Sequence, residues 1–226
     1  METLSWYLLK GNIDIATISN LLNTESLSQA GSSGFRVTSK NNVHISSIFF
    51  EKVEQTKFIE YPDGSKSEVL IEDYLIYKFT IFNCNGKKFF RIKGKHRTYK
   101  PLNNALFRIF GLNLAIEEVK LNITDIIDLI HDNLDVGLIV NSLEISSDGF
   151  GASVGKSIHC FQGSQDIRKD VEAFFNGMRY HVKKLGCTLL FDNGKCSLDI
   201  SQAGKLSYKG INDTFIYQRI EPLLLT

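Results

Sequence analysis

The chain has 226 residues, of which 26 are Lys or Arg, 25 are Asp or Glu and 43% are hydrophobic. This composition is typical of a soluble globular protein and excludes a disordered or collagen-like chain. No run approaches 18 consecutive apolar residues, and no basic leader precedes a cleavable apolar segment. The sequence therefore predicts a cytoplasmic protein without a membrane span.

Metal and disulfide chemistry have little support in the sequence. The cysteines lack the CxxC spacing of zinc sites, and the five histidines form no HExxH or HxH pattern. We therefore expect reduced thiols, no metal site and no cofactor. The cysteines are Cys84, Cys160, Cys187 and Cys196.

The first half of the chain is predicted to be rich in β-strands. A short strand at 4–9 precedes a helix that Asn12 or Asp14 can cap. Residues 26–34 are rich in Ser and Gly and indicate a loop, and turn signals lie at 62–64 and at Asn85-Gly86. Strands are predicted at 43–50, 53–61, 69–83 and 87–93, with a short helix after Pro101.

The second half alternates strand and helix patterns. The strongest helical periodicity covers 165–185, with Ser164 as its cap and Gly186 at its end. Asn193-Gly194 predicts a two-residue hairpin turn that places Phe191 opposite Cys196. The remaining elements are a helix at 123–134 and strands at 115–121, 136–146, 156–162, 205–208 and 214–220.

The order of elements from 115 to 191 is β-α-β-β-α-β, the pattern of ferredoxin-like folds. The first half has a similar order with longer hairpins inserted. We therefore expect an α+β fold, mainly an antiparallel sheet with helices on one face. It would be built as two ferredoxin-like modules in tandem or as one continuous sheet. The predicted domains are a basic β-rich module with long hairpins at 1–110 and an acidic ferredoxin-like module with C-terminal hairpins at 111–226.

Charge is distributed unevenly along the chain. Residues 1–110 hold 15 Lys and Arg against 10 Asp and Glu, whereas residues 111–226 hold 11 against 15. Seven of the fourteen residues in 87–100 are Lys or Arg. Such a dense basic run is typical of a solvated face or of a surface that contacts phosphates.

The Asn85-Gly86 turn predicts where these charges point. It pairs Phe82 with Phe89, and the alternation of strand side chains then separates two faces. The apolar face is expected in the core, because the other face carries cations that are costly to bury without partners. The apolar face consists of Leu75, Tyr77, Phe79, Ile81, Phe90 and Ile92.

A cationic sheet face with exposed rings suits single-stranded nucleic acid, since cations attract phosphates and rings stack on bases. The sequence thus favours a non-enzymatic binding module for single-stranded nucleic acid or another polyanion, in which Phe82 and Phe89 would stack on bases. The opposite possibility is that another element or subunit covers the two rings. The residues expected to contact phosphates are Lys78, Lys87, Arg91, Lys93, Lys95, Arg97 and Lys100.

Two alternative functions remain open. The basic and acidic halves could dock between copies, as in a self-assembling or complex-forming subunit. His96, which lies among cations, could serve as the acid or base of a metal-independent ribonuclease. A phosphate-binding loop at 149–157 is rejected, because the residue that must be glycine five positions before Gly155 is Phe150.

Overall fold

The computed structural model of the protein describes residues 1–26, 32–148, 155–192 and 194–226. Parts of the two predicted glycine-rich loops, at 27–31 and 149–154, and Asn193 of the predicted turn lie outside the described residues. The strands are β1 Glu2–Lys10, β2 Ser33–Lys40, β3 His44–Glu60, β4 Lys66–Cys84, β5 Lys87–Lys93, β6 Ala115–Glu118, β7 Gly137–Asp148, β8 Lys156–Gln162, β9 Tyr180–Phe191, β10 Gly194–Ser201 and β11 Lys205–Lys209. The helices are α1 Ile15–Thr24, α2 Lys100–Phe110, α3 Ile123–Asn133, α4 Arg168–Phe175, α5 Asp213–Phe215 and α6 Glu221–Leu224, with a 3₁₀ turn at Gly111–Asn113 and a π-helix at Ile216–Ile220.

The protein is α+β with mostly antiparallel strand pairing, which confirms the predicted fold class. The chain divides into two compact units. Unit 1 comprises Met1–Leu8, Cys84–Lys87 and Glu117–Thr226, and unit 2 comprises Leu9–Asn83 and Lys88–Ile116. The predicted division into domains at residue 110 stays a prediction.

Unit 2 contains the strand order β2-β3-β4-β5. Its helices begin where the sequence supplies a start signal: the Asp14 carboxylate accepts the backbone N–H of Thr17 at 2.6 Å, and Pro101 lies in the first turn of α2. Aromatic side chains fill the core of this unit, with the Phe35 and Phe49 rings 4.9 Å apart.

Unit 1 contains the strand order β1-β11-β10-β9-β7-β8, and β6 pairs with β1. In the predicted βαββαβ unit, β6 would be the first strand and would pair within that unit. Its pairing with β1 departs from that pattern, so ferredoxin-like modules are not confirmed.

The predicted long helix at 165–185 is wrong in its second half. Helix α4 ends after Phe175, because Asn176 and Gly177 both adopt positive φ angles, of 41° and 83°. The chain then continues as β9, which pairs with both β7 and β10. Apolar residues spaced three or four apart in 171–182 fit a helix, but tertiary pairing decides the outcome here.

The predicted strand at 214–220 is also wrong, since this segment is helical. Asn212 caps it by accepting the backbone N–H of Phe215 at 2.9 Å. Ile216, Ile220 and Leu224 recur every fourth residue and are all buried. That spacing is the helical signal that the sequence prediction missed.

The hairpin of β9 and β10 has a different register from the one predicted. Phe191 pairs with Gly194, and Cys196 pairs with Leu189. All four cysteines are free thiols. Burial raises the pKa of the Cys187 thiol to about 12, so this thiol stays protonated at neutral pH.

None of the helices in the described part of the chain is long and apolar enough to cross a membrane.

Candidate functional site

The turn on which the predicted binding face depends is present. Asn85 and Gly86 adopt φ angles of 50° and 73°, as a type I′ hairpin turn requires. The Phe82 and Phe89 rings lie 5.9 Å apart, consistent with the predicted cross-strand pair.

The predicted apolar face is buried along most of its length. Tyr77, Phe79, Ile81, Phe90 and Ile92 are each at most 3% exposed. Leu75, which was predicted in the same face, is 37% exposed. Leu75 is exposed because β4 extends at this residue beyond the part of the sheet that the core covers.

The predicted stacking pair is not open to solvent. Phe89 is only 3% exposed, so it cannot stack on a base. Phe82 is half-buried, and the Arg91 guanidinium lies 5.2 Å from the centre of its ring. Arg91 itself is 9% exposed, which also removes it from the residues that can meet a ligand directly.

The remaining predicted cations differ in exposure. Lys93 is half-buried and has interactions within the protein. Lys87 is exposed but belongs to unit 1. The exposed cations of unit 2 in the predicted set are Lys78, Lys95, Arg97 and Lys100.

Strands β2 and β3 extend this face in a way that the sequence prediction missed. Arg36 pairs with Ile48, and Ile48 pairs with Lys78, so the two cations flank one apolar side chain on the same face. The Arg36 guanidinium lies 4.9 Å from the centre of the Phe50 ring. The contribution of Arg36 is missing from the sequence prediction, because the strand at 33–40 is not among the predicted strands.

We call the exposed surface formed by Arg36, Ile48, Phe50, Lys78 and Phe82 the cationic face. Along β2, along β3 up to Phe50 and along β4 from Ile76, the described residues of this face include no carboxylate. Its other polar groups are hydroxyls, and the Ser46 and Thr80 hydroxyl oxygens are 3.0 Å apart. The face is therefore positive and uncompensated.

His96 lies away from the cationic face. Its ring packs against Tyr77, with centroids 4.5 Å apart, and Tyr77 belongs to the opposite, core side of β4. Desolvation lowers the pKa of His96, so the imidazole is neutral at pH 7. A neutral imidazole packed against the core is poorly placed for the acid role in RNA cleavage.

Beyond Glu51, where the pairing of β3 with β2 ends, strands β3 and β4 continue together as a two-stranded extension. We call residues 52–75 the arm. No side chain of the arm is buried, although Phe58 is 72% and Leu70 60% exposed. The arm carries three lysines and six carboxylates. Large exposed apolar side chains of this kind are common where proteins contact one another.

Comparison with known protein families finds no matching family, and no curated protein matches the sequence.

Proposed function

We propose that the protein is a binding module that takes single-stranded nucleic acid, or a similar polyanion, on the cationic face of unit 2. The observation that carries the proposal is the uncompensated row of Arg36 and Lys78 across β2, β3 and β4. Phosphates would lie along these cations, because their attraction is not offset by carboxylates on the same face.

Bases would contact the guanidinium of Arg36 and the half-buried rings of Phe50 and Phe82. A guanidinium plane that already lies over a ring can accept a base on its outer side. Each such stacking contact contributes about 1–3 kcal/mol. Phe89 and Arg91 are left out of the proposed contacts because both are buried. Lys95, Arg97 and Lys100 remain proposed phosphate contacts next to the face.

Replacement of both Arg36 and Lys78 by alanine is expected to weaken binding of a labelled oligouridylate by about tenfold. Each lost phosphate contact removes counterion release, so the salt dependence of binding should also become shallower. Fluorescence polarisation between about 50 and 200 mM salt measures both effects.

The matched control is Lys57→Ala, which removes an exposed cation from the arm and should leave the affinity unchanged. If the wild-type protein shows no salt-dependent binding, or if the double variant binds as well as the wild type, the proposal is wrong. A triple alanine variant at Lys95, Arg97 and Lys100 tests the neighbouring segment separately.

The arm favours a second candidate function, which is self-association. Its excess of carboxylates complements the basic segment 87–100 of another copy, and its exposed Phe58 and Leu70 would be covered in that contact. We therefore propose a second copy of this chain as the partner of the arm. Charge would direct the contact, and burial of apolar surface would stabilise it.

Multi-angle light scattering should show a mass above 25.5 kDa at low salt. The double variant Phe58→Ser with Leu70→Ser should be monomeric under the same conditions, since it removes the two most exposed large apolar side chains of the arm. Val43→Ser, at an exposed apolar position outside the arm, is the control. A wild-type protein that is monomeric at every salt and protein concentration would exclude self-association.

A further inference from the structure

The sheet of unit 1 carries an open groove that the proposed function does not use. It has a volume of about 840 Å³ and crosses β8, β7, β9, β10 and β11. Along β10, Asp199 and Ser201 alternate with the buried residues Leu198 and Ile200, and both line the groove. A concave sheet surface of this kind, lined mostly by apolar surface with polar groups among it, is suited to a small ligand.

A glycine shapes the floor of the groove. Gly186 pairs with Asp199 on β10 and with Ser142 on β7. A Cβ atom at Gly186 would lie 2.3 Å from the Ser142 hydroxyl oxygen and 3.0 Å from a carboxylate oxygen of Asp199. The Ser142 hydroxyl oxygen and the Asp199 carboxylate oxygen thus converge over Gly186. They have space there because glycine has no Cβ atom.

One end of the groove combines a hydroxyl group with two lysines. Ser201 pairs with Lys184 on one side and with Lys205 on the other. The Ser201 hydroxyl is buried and has no hydrogen-bond partner among the described residues. Lys184 forms an ion pair with Glu144, whereas Lys205 has no ion pair in the described part of the chain. An unsatisfied hydroxyl between two lysines has the donors that a phosphate oxygen requires.

The other end of the groove offers an acceptor. The Asp199 carboxylate has no hydrogen-bond partner among the described residues, and burial raises its pKa. Asp199 and Ser201 lie two positions apart on one strand face, which separates them by roughly 7 Å along the strand. A ligand that donates two hydrogen bonds to this carboxylate would satisfy it, and the same ligand could reach the lysines.

We propose that the groove binds a nucleoside monophosphate, with its phosphate over Ser201 between Lys184 and Lys205 and with a pair of hydrogen-bond donors on Asp199. Two parts of such a ligand can supply the donor pair, namely the ribose diol and the N–H edge of guanine. Both match a single carboxylate with two acceptor oxygens.

Isothermal titration calorimetry with GMP, AMP, dGMP and inorganic phosphate tests the proposal and separates the two sources. Binding of GMP and dGMP but not AMP assigns the guanine edge, whereas binding of GMP and AMP but not dGMP assigns the ribose diol. Inorganic phosphate should bind at least tenfold more weakly than the preferred nucleotide. No binding of either ribonucleotide at millimolar concentration, or phosphate binding as tight as GMP binding, would overturn the proposal.

The variants Asp199→Asn and Lys205→Ala should each weaken nucleotide binding at least tenfold. Lys209→Ala is the matched control, because Lys209 lies on the same strand and face but outside the groove. Gly186→Ala should also abolish binding by filling the floor of the groove, and circular dichroism checks that this variant folds.

Unchanged affinity in both Asp199→Asn and Lys205→Ala excludes this site. Arg36→Ala with Lys78→Ala should leave nucleotide affinity intact, which keeps this test independent of the proposed function.

Discussion

Gly11→Ala is expected to destabilise the protein by roughly 2–4 kcal/mol. A Cβ atom at Gly11 would lie 2.2 Å from the carbonyl oxygen of Asn113, which no side-chain rotation can relieve because the obstacle is backbone. Gly11 also has a φ angle of 150°, which side chains other than hydrogen rarely allow. The 3₁₀ turn at Gly111–Asn113 would have to move away from Gly11 to make room.

Thermal unfolding followed by circular dichroism measures this effect, and the midpoint should fall by roughly 5–15 °C. Asn12→Ala is the control, since Asn12 is the exposed neighbour of Gly11 and should tolerate alanine within about 0.5 kcal/mol. Equal stabilities of the two variants would mean that Gly11 and Asn113 are not in close contact.

Trp6→Phe is expected to cost about 2–3 kcal/mol, because it removes the donor of a buried hydrogen bond to a carboxylate. The Trp6 indole N–H donates to Glu221 at 2.5 Å, and the two residues are 1% and 4% exposed. They lie 215 residues apart, so this bond joins the first strand of unit 1 to its last helix. Phenylalanine keeps most of the apolar contact but leaves the carboxylate oxygen without this donor.

A double variant separates the hydrogen bond from the packing. Trp6→Phe combined with Glu221→Met replaces both polar partners by apolar groups and should recover at least half of the lost stability. Urea unfolding of the wild type, the two single variants and the double variant gives the coupling free energy between Trp6 and Glu221. Additive effects of the two substitutions would show that the bond contributes nothing to stability.

The sequence predicted the parts of the fold that depend on local signals. Asn85-Gly86 forms the expected turn because both residues tolerate positive φ, and the alternation from Tyr77 to Ile81 assigns the buried face. The segment after Phe175 was predicted incorrectly, because its apolar spacing suits a helix as well as a strand. Only the pairing of β9 with β7 and β10, which involves residues far away in the chain, selects the strand.

The sequence predicts which charged residues belong to the candidate site, but it does not predict which side chains there are exposed to solvent. Lys78 lies on an open sheet face as the alternation indicates, whereas the burial of Phe89 and Arg91 cannot be read from a hairpin alone. Arg36 was missed because its role depends on the register of β2 against β3. The groove of unit 1 depends in the same way on pairings between strands that are distant in sequence, such as Gly186 with Ser142.

The exposure of the arm allows its length to change during evolution. Since none of residues 52–75 is buried, insertions or deletions at its tip would open no cavity in the core. Proteins that share this architecture should therefore differ greatly in the length of this hairpin while keeping the strands that precede and follow it. A protease should likewise cut first near Pro62 and Gly64, at the exposed tip.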